Sequence, residues 1–95
     1  DTHTEASKPV VSVISPNGGS YYPNNQSIKL NISSTGRFPL QKIDVFINDT
    51  YIDTIKAPFN FSFIPKNIEN NEIKLIVYDT VFNKSEATAN FNVTQ

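Results

Sequence analysis

Short segments in which apolar and polar residues alternate make up most of the chain from residue 9 onward. Because successive side chains of a strand point to opposite faces, this alternation predicts strands. The predicted strands cover residues 9–14, 26–33, 41–48, 51–55, 59–63, 72–79 and 86–93, with a short edge piece at 21–23. Gly, Pro, Asn and Asp separate them, residues 65–71 are predicted to form a long polar turn, and helical periodicity is missing. The pattern therefore predicts an all-β domain of about seven strands.

The apolar positions of these segments fall on one face of each predicted strand. A strand that buries one face needs a second layer to cover it, so two sheets should pack face to face as an antiparallel β-sandwich. The strongest predicted inward positions are Ile43, Val45, Ile73, Leu75 and Val77. The others are Ile28, Leu30, Ile32, Ile47, Phe59, Phe61, Phe63, Ala87, Ala89, Phe91 and Val93.

The first eight residues lack this pattern and are polar. We therefore predict a linker or tail over residues 1–8 and one domain over residues 9–95, since 95 residues supply a single small core. The chain begins at Asp1 rather than at methionine, and we expect it to be part of a longer polypeptide. No apolar run approaches the roughly 18 residues of a membrane-spanning helix, so membrane insertion is not expected.

Composition excludes several classes of chemistry. Eight basic and nine acidic residues give a formal charge of −1, which offers no cationic field for nucleic acid. The chain has no cysteine, which excludes disulfides, thiolate metal sites and a cysteine nucleophile. Its one histidine, His3, lies in the polar tail and supports no histidine-based catalytic triad. We therefore expect no cofactor and no catalytic residues.

Acidic residues at the ends of predicted strands offer one alternative to a domain without metal. Asp44, Asp49, Asp53 and Asp79 could gather at one end of a sandwich and hold calcium through oxygen ligands. They follow no calcium-loop spacing, however, and solvated strand ends with a turn-capping role for Asp79 are the favoured interpretation.

The order of several short motifs resembles the bacterial immunoglobulin-like domain family. The motifs are VISPNG at 13–18, IDVFIND at 43–49, APFNFSF at 57–63, IKLIVYD at 73–79 and FN at 82–83. The chain departs from the family pattern where Asn48-Asp49 stands for Asp-Gly, Phe63 for a common Trp, and Phe82-Asn83 for Gly-Asn. These departures concern turn and core positions and affect loop shape rather than fold.

The resemblance implies an immunoglobulin-like sandwich that acts as a non-catalytic accessory or spacer module of an extracellular or cell-surface protein. Family members are appended to secreted or surface proteins such as glycoside hydrolases, penicillin-binding proteins, proteases and adhesins. The implied partners are neighbouring domains of the parent chain. The family has no shared catalytic residues to transfer to this sequence.

A contact patch is predicted on the outer face of two strands that should be neighbours. Alternation places Phe46, Ile76 and Tyr78 outward there, with Tyr21 as a weaker second candidate near an edge. An exposed apolar patch marks a contact surface, and a neighbouring domain is the favoured occupant. The alternatives are a carbohydrate-binding module that stacks sugars on Phe46, Tyr78 and Tyr21, and an adhesin that binds a surface protein through the same patch or through the loops at Phe38 and Phe82.

Six Asn-x-Ser/Thr sequons occur where chance predicts about two. Three of them, at Asn31, Asn60 and Asn92, follow from an apolar inner face combined with a polar outer face. Asn25, Asn48 and Asn83 are predicted to lie in loops and are the candidate glycosylation sites of a surface glycoprotein.

Overall fold

The structure, a computed structural model, describes residues 3–95 as nine strands preceded by one short 3-10 turn at Glu5–Ser7. The strands are β1 (Val10–Ser15), β2 (Tyr21–Pro23), β3 (Ile28–Lys29), β4 (Asn31–Thr35), β5 (Leu40–Ile47), β6 (Thr50–Lys56), β7 (Ser62–Phe63), β8 (Glu69–Asp79) and β9 (Lys84–Thr94).

Five strands form the larger sheet, in the order β2-β9-β8-β5-β6. The pairs β9–β8, β8–β5 and β5–β6 are antiparallel, whereas β2 runs parallel to the end of β9. Ile43 lies opposite Val77, and Ile73 lies opposite Ala89, so predicted inward residues are in register across three strands. This sheet carries the predicted contact patch.

The opposing layer consists of two strand pairs that share one segment of chain. β4 pairs with β1 and β3 pairs with β7, both antiparallel. Between β3 and β4, the backbone N–H of Leu30 donates a 2.8 Å hydrogen bond to the carbonyl of Phe61. The single strand predicted over residues 26–33 is therefore wrong: this segment changes partner at Leu30, which increases the number of strands to nine.

The two layers enclose an apolar core, as the alternation predicted. Ile43, Val45, Ile73, Leu75 and Val77 have no exposed surface. Burying each such side chain contributes about 1.5–3 kcal/mol to folding. The core also holds an aromatic cluster, in which the Phe91 ring lies 5.9 Å from Tyr22 and 6.0 Å from Phe63 in edge-to-face contacts. The fold is an all-β sandwich with an immunoglobulin-like arrangement.

Strand β8 begins earlier than the sequence predicts. β8 starts at Glu69, so the prediction of a turn over residues 65–71 is wrong for its last three residues. The reason is Asn71, which is buried and fully bonded: its Nδ2 donates to the carbonyls of Asn67 (3.0 Å) and Glu69 (3.2 Å). Its Oδ1 accepts a 2.9 Å hydrogen bond from Asn48 Nδ2. A polar side chain satisfied in this way can be buried inside a sheet.

The hairpin predicted at Asn48-Asp49 is confirmed. Both residues have left-handed backbone conformations, with φ of 50° and 65°, as a two-residue type I′ turn requires. The turn sets the register of β5 against β6, because Ile47 must then pair with Thr50 and Phe46 with Tyr51.

His3 and the last residues of β9 lie at opposite ends of an elongated body that measures 50 × 21 × 19 Å. β9 begins beside the β8–β9 turn (residues 79–83) and runs away from it to Thr94. The N-terminal segment packs at that turn, where His3 Nε2 lies 2.6 Å from the carbonyl oxygen of Val81.

Candidate functional site

The outer face of the larger sheet brings the predicted patch residues together. Phe46 on β5 lies two positions from Asp44, which pairs with Ile76 on β8, and Tyr78 follows Ile76 on the same face. The two strands interleave apolar and charged residues on this face, since Lys42 pairs with Tyr78 and Phe46 pairs with Lys74. We call Phe46, Ile76 and Tyr78 the outer patch, and its role in contact remains a prediction.

Lysine side chains partly cover the outer patch. Lys74 Nζ lies 5.1 Å from the ring centroid of Phe46, and Lys42 Nζ lies 4.8 Å from that of Tyr78. These are cation–π distances, worth about 0.5–1 kcal/mol at exposed sites. Phe46, Ile76 and Tyr78 are each half-buried rather than exposed. The expectation of an open apolar patch is therefore wrong: on this surface, the ammonium groups of Lys42 and Lys74 alternate with the rings of Phe46 and Tyr78.

Tyr51 belongs to this surface and was missed by the sequence analysis. Its ring meets the Phe46 ring edge-on at 5.7 Å, and its side chain is 54% exposed. Its hydroxyl bonds to Thr54 Oγ1 (2.6 Å), which in turn donates to Asp44 Oδ1 (2.6 Å). The two-residue turn at Asn48-Asp49 was the available signal, because it fixes Tyr51 opposite Phe46.

Tyr21 is exposed but does not join the outer patch. It lies on edge strand β2, opposite Asn92, and strands β9 and β8 separate it from β5. The ring of its neighbour Tyr22 packs against the core, and the Tyr22 hydroxyl accepts a 3.0 Å hydrogen bond from the backbone N–H of Asn17 at the surface. On the larger sheet, the aromatic pair of Phe46 and Tyr51 is therefore separate from Tyr21 at the β2 edge.

Asp79 caps the β8–β9 turn from a completely buried position, which confirms the turn-capping interpretation. Its Oδ1 accepts hydrogen bonds from the backbone N–H groups of Val81 (3.0 Å) and Asn83 (2.8 Å), and its Oδ2 accepts one from Asn83 Nδ2 (2.9 Å). Burial opposes ionisation, but the hydrogen bonds from Asn83 and Val81, together with His3, hold the pKa of Asp79 below its ordinary value.

The four acidic residues considered for calcium do not come together. Asp79 is buried in its turn, Asp44 is bonded to Thr54 on the outer face, and Asp53 accepts from its neighbouring backbone N–H at 2.8 Å. Across residues 3–95, no group of three His, Cys, Asp or Glu side chains is placed to hold a metal ion.

The three candidate glycosylation sites have different environments. Asn25 is exposed in the loop between β2 and β3, with a left-handed φ of 65°. Asn48 is half-buried, and its Nδ2 is engaged by Asn71. Asn83 is only 4% exposed, and its Nδ2 donates to Asp79 and to the carbonyl of Ser7 (3.4 Å). The expectation of an accessible side chain at Asn83 is therefore wrong, because the carboxylate of Asp79 draws this amide into the turn.

A groove of about 730 Å³ runs beside β4, away from the outer patch. Its apolar floor includes Ile32, Leu40 and Phe59, and Lys29 is its only charged lining residue. A groove without a carboxylate or histidine in its lining offers no general acid or base to a substrate.

Comparison with solved structures shows two similar folds. A fibronectin(III)-like module of Clostridium thermocellum CbhA superimposes with a TM-score of 0.76 and 17% identity, covering 90% of this chain and 96% of that one. The CARDB domain of a Pyrococcus furiosus protein, solved in complex with di-metal ions, gives a TM-score of 0.63 and 17% identity, with 96% of each chain covered. At this identity, both establish the fold alone.

No curated protein matches the sequence. The described residues contain no helix long and apolar enough to cross a membrane. Immunoglobulin-like and fibronectin(III)-like domains are typically non-catalytic accessory modules and are common in extracellular proteins. A family model described as "Bacterial Ig domain" matches residues 9–77, most of the chain, and this protein therefore belongs to the bacterial Ig domain family.

Proposed function

We propose that this domain is a rigid, non-catalytic spacer in an extracellular or cell-surface protein and holds neighbouring domains of its parent chain apart. The observation that carries this proposal is the path of the chain through a body 50 Å long. The N-terminal segment lies at the β8–β9 turn, and the last strand ends at the other end of the sandwich. Domains attached at the two termini would be separated by the length of the module.

The larger sheet supplies the stiffness that a spacer requires. β8 and β9 each contain 11 residues and pair along almost their full length. Strands of this length extend about 36 Å at 3.3 Å per residue. Because β5 pairs with the other side of β8, bending the module would break hydrogen bonds in two ladders and open the apolar core.

The chemistry of the surface supports a structural role without a cofactor. The groove beside β4 lacks acid–base residues, and the acidic side chains are dispersed. The formal charge of −1 gives no attraction to nucleic acid. The fibronectin(III)-like module of CbhA, which shares the fold, is itself described as a module of a larger protein.

Single-molecule energy transfer between dyes on the two flanking domains tests the spacer function. In the parent polypeptide, the residues of this domain are replaced by an equally long Gly/Ser linker as the control. A 95-residue Gly/Ser chain has a root-mean-square length of about 55 Å, close to the length of the folded domain, so the mean distance does not discriminate. A narrow distance distribution with the domain and a broad one with the linker supports the proposal. Equal widths would contradict it.

A carbohydrate-binding role is the second candidate, and the exposed Tyr51 against Phe46 favours it. An edge-on aromatic pair on the outer face of the sheet offers a platform for a sugar ring, and Lys74 and Asp44 beside it offer a donor and an acceptor. Retention on insoluble cellulose and cell-wall glycan tests this role. We expect Tyr51→Ala to reduce retention and Tyr21→Ala, at the separate β2 edge, to leave it unchanged. Absence of retention by the unmodified domain would refute carbohydrate binding and leave the spacer function untouched.

A further inference from the structure

The segment before β1 is fastened to the β8–β9 turn rather than extending freely. His3 Nε2 donates a 2.6 Å hydrogen bond to the carbonyl of Val81. Four residues later, the carbonyl of buried Ser7 accepts from Asn83 Nδ2, the same amide that caps Asp79. Two contacts separated by one short turn place this segment directly on the end of the sandwich.

Further contacts extend the attachment up to the first strand. Pro9 is buried, and its carbonyl accepts a 2.6 Å hydrogen bond from Ser85 Oγ at the start of β9. The 3-10 turn at Glu5–Ser7 is closed by the backbone N–H of Ser7, which donates to the carbonyl of Thr4 at 3.0 Å. We call residues 3–9 the strap. Its hydrogen bonds reach the turn at Val81 and Asn83 and the start of β9 at Ser85.

Phe82 stands at the tip of this turn in an unfavourable backbone conformation. Its φ is 63°, in the left-handed region that favours glycine, and its side chain is 64% exposed. A non-glycine residue in this region costs about 1–2 kcal/mol. The fold therefore holds a large apolar ring in solvent at a position where glycine, which has no Cβ, would be more stable, and such a conflict indicates a functional contact.

We propose that the strap and the β8–β9 tip form the docking surface for the domain that precedes this one in the parent polypeptide, with Phe82 as the apolar contact. This inference rests on the proposed spacer function and specifies how the spacer is oriented. The path of the chain identifies the occupant: His3 is bonded to Val81, the residue next to Phe82, so the first described residue lies at the same end of the sandwich as this ring.

Charge at the same end indicates the chemistry of the partner surface. The backbone N–H of Thr80 donates to the carbonyl of Pro39 at 3.0 Å, which ties the loop before β5 to this turn. In that loop, the Arg37 guanidinium lies 5.3 Å from the Phe38 ring. The preceding domain is expected to present an apolar surface to Phe82 and a carboxylate to Arg37.

The strap is tested first in the chain as it stands, since the absence of cysteine allows selective labelling. Spin labels at Ala6→Cys and Thr88→Cys should give one narrow distance distribution by pulsed electron resonance. A free tether of four residues before β1 would instead spread over about 11 Å. His3→Ala/Ser85→Ala should broaden the distribution, and Gln26→Ala/Ser27→Ala, in an exposed loop away from the strap, should not. A broad distribution in the unmodified chain would overturn the proposal.

The docking surface is tested in the parent polypeptide, with one label in the preceding domain and one at Thr88→Cys. Phe82→Asn removes the ring and keeps a residue that tolerates the left-handed conformation. A narrow distribution that broadens in Phe82→Asn supports the proposal. A narrow distribution that persists in Phe82→Asn and in His3→Ala/Ser85→Ala overturns it and leaves the spacer function intact. A broad distribution with the unmodified chain contradicts the spacer function itself.

Discussion

The carboxylate of Asp79 makes the β8–β9 turn the most informative place to perturb the fold. It accepts three hydrogen bonds, two from backbone N–H groups and one from Asn83 Nδ2, and has no exposed surface. The informative substitution is Asp79→Asn, which preserves the shape of the side chain. The new amide keeps one oxygen for the two backbone donors but places an N–H₂ group against Asn83 Nδ2.

The expected magnitude follows from these three bonds. A hydrogen bond to a charged group contributes about 1.5–3 kcal/mol and a neutral one about 0.5–1.5 kcal/mol. Losing one charged bond costs about 2 kcal/mol, and neutralising the acceptor of the other two costs about 1 kcal/mol each. A neutral amide is easier to bury, which offsets about 1–2 kcal/mol. We therefore expect the free energy of unfolding to fall by about 2–3 kcal/mol, a large share of the 5–15 kcal/mol typical of a domain.

Urea unfolding followed by tyrosine fluorescence measures this change at a series of pH values. The pKa of Asp79 is lowered by folding, so its ionised form stabilises the protein fully above the ordinary carboxyl pKa. That contribution is lost as the pH falls from this value through the lower pKa of the folded state. The stability difference between the unmodified chain and Asp79→Asn should therefore be largest at neutral pH and shrink in acid.

Asp53→Asn serves as the matched control, because Asp53 is an exposed acid whose one acceptor bond an amide can keep. It should leave the free energy of unfolding nearly unchanged at every pH. A loss below about 0.5 kcal/mol for Asp79→Asn, or a loss that is the same at pH 7 and pH 3, would refute the role assigned to the buried carboxylate.

Three other substitutions test the turns and the core by the same urea assay. Phe82→Gly should raise the free energy of unfolding by about 0.5–1 kcal/mol, since relief of the left-handed strain exceeds the entropy that glycine loses on folding; a loss of stability would contradict it. Asp49→Gly should raise it by about 0.5 kcal/mol, because glycine suits the second turn position better, and a lower urea midpoint would count against the type I′ assignment. Phe91→Ala should lower it by about 3–5 kcal/mol, whereas Tyr21→Ala, 71% exposed, should change it little; similar effects of both would argue against the aromatic core.

The larger sheet could be predicted from the sequence because the alternation that determines its buried face is a local pattern. Ile43 and Val45 on β5, like Ile73 and Leu75 on β8, alternate with polar residues, and a period of two determines which residues are buried without knowledge of the partner strand. When two adjacent strands bury their inward residues, their outward residues also lie side by side. The grouping of the outer patch residues could therefore be predicted. The partial burial of these residues could not be predicted, because the position of a lysine ammonium over a ring depends on the register between β5 and β8.

The errors concern polar residues whose burial depends on distant partners. The sequence predicts turns at Asn71 and Asn83, yet both residues are buried because another side chain satisfies each amide. Asn71 is bonded to Asn48 across the sheet, and Asn83 is bonded to Asp79 at the start of the turn. The change of partner at Leu30 likewise depends on Phe61, which is 31 positions later in the chain. Local pattern carries no signal for contacts of this kind, whereas the Asp79–Asn83 spacing at the end of a strand was a usable signal for the cap.

The parallel pairing of β2 with β9 determines how the domain responds to tension. Tyr21, Tyr22 and Pro23 pair with Asn92, Val93 and Thr94. When force pulls the two termini in opposite directions, parallel strands slide past each other along their length, so their hydrogen bonds are loaded simultaneously rather than one after another. Force applied at the N-terminus reaches the strap before it reaches the β2–β9 pair. We therefore expect the strap to detach from the β8–β9 turn first. A module of this construction would lengthen slightly at low load and resist rupture at higher load.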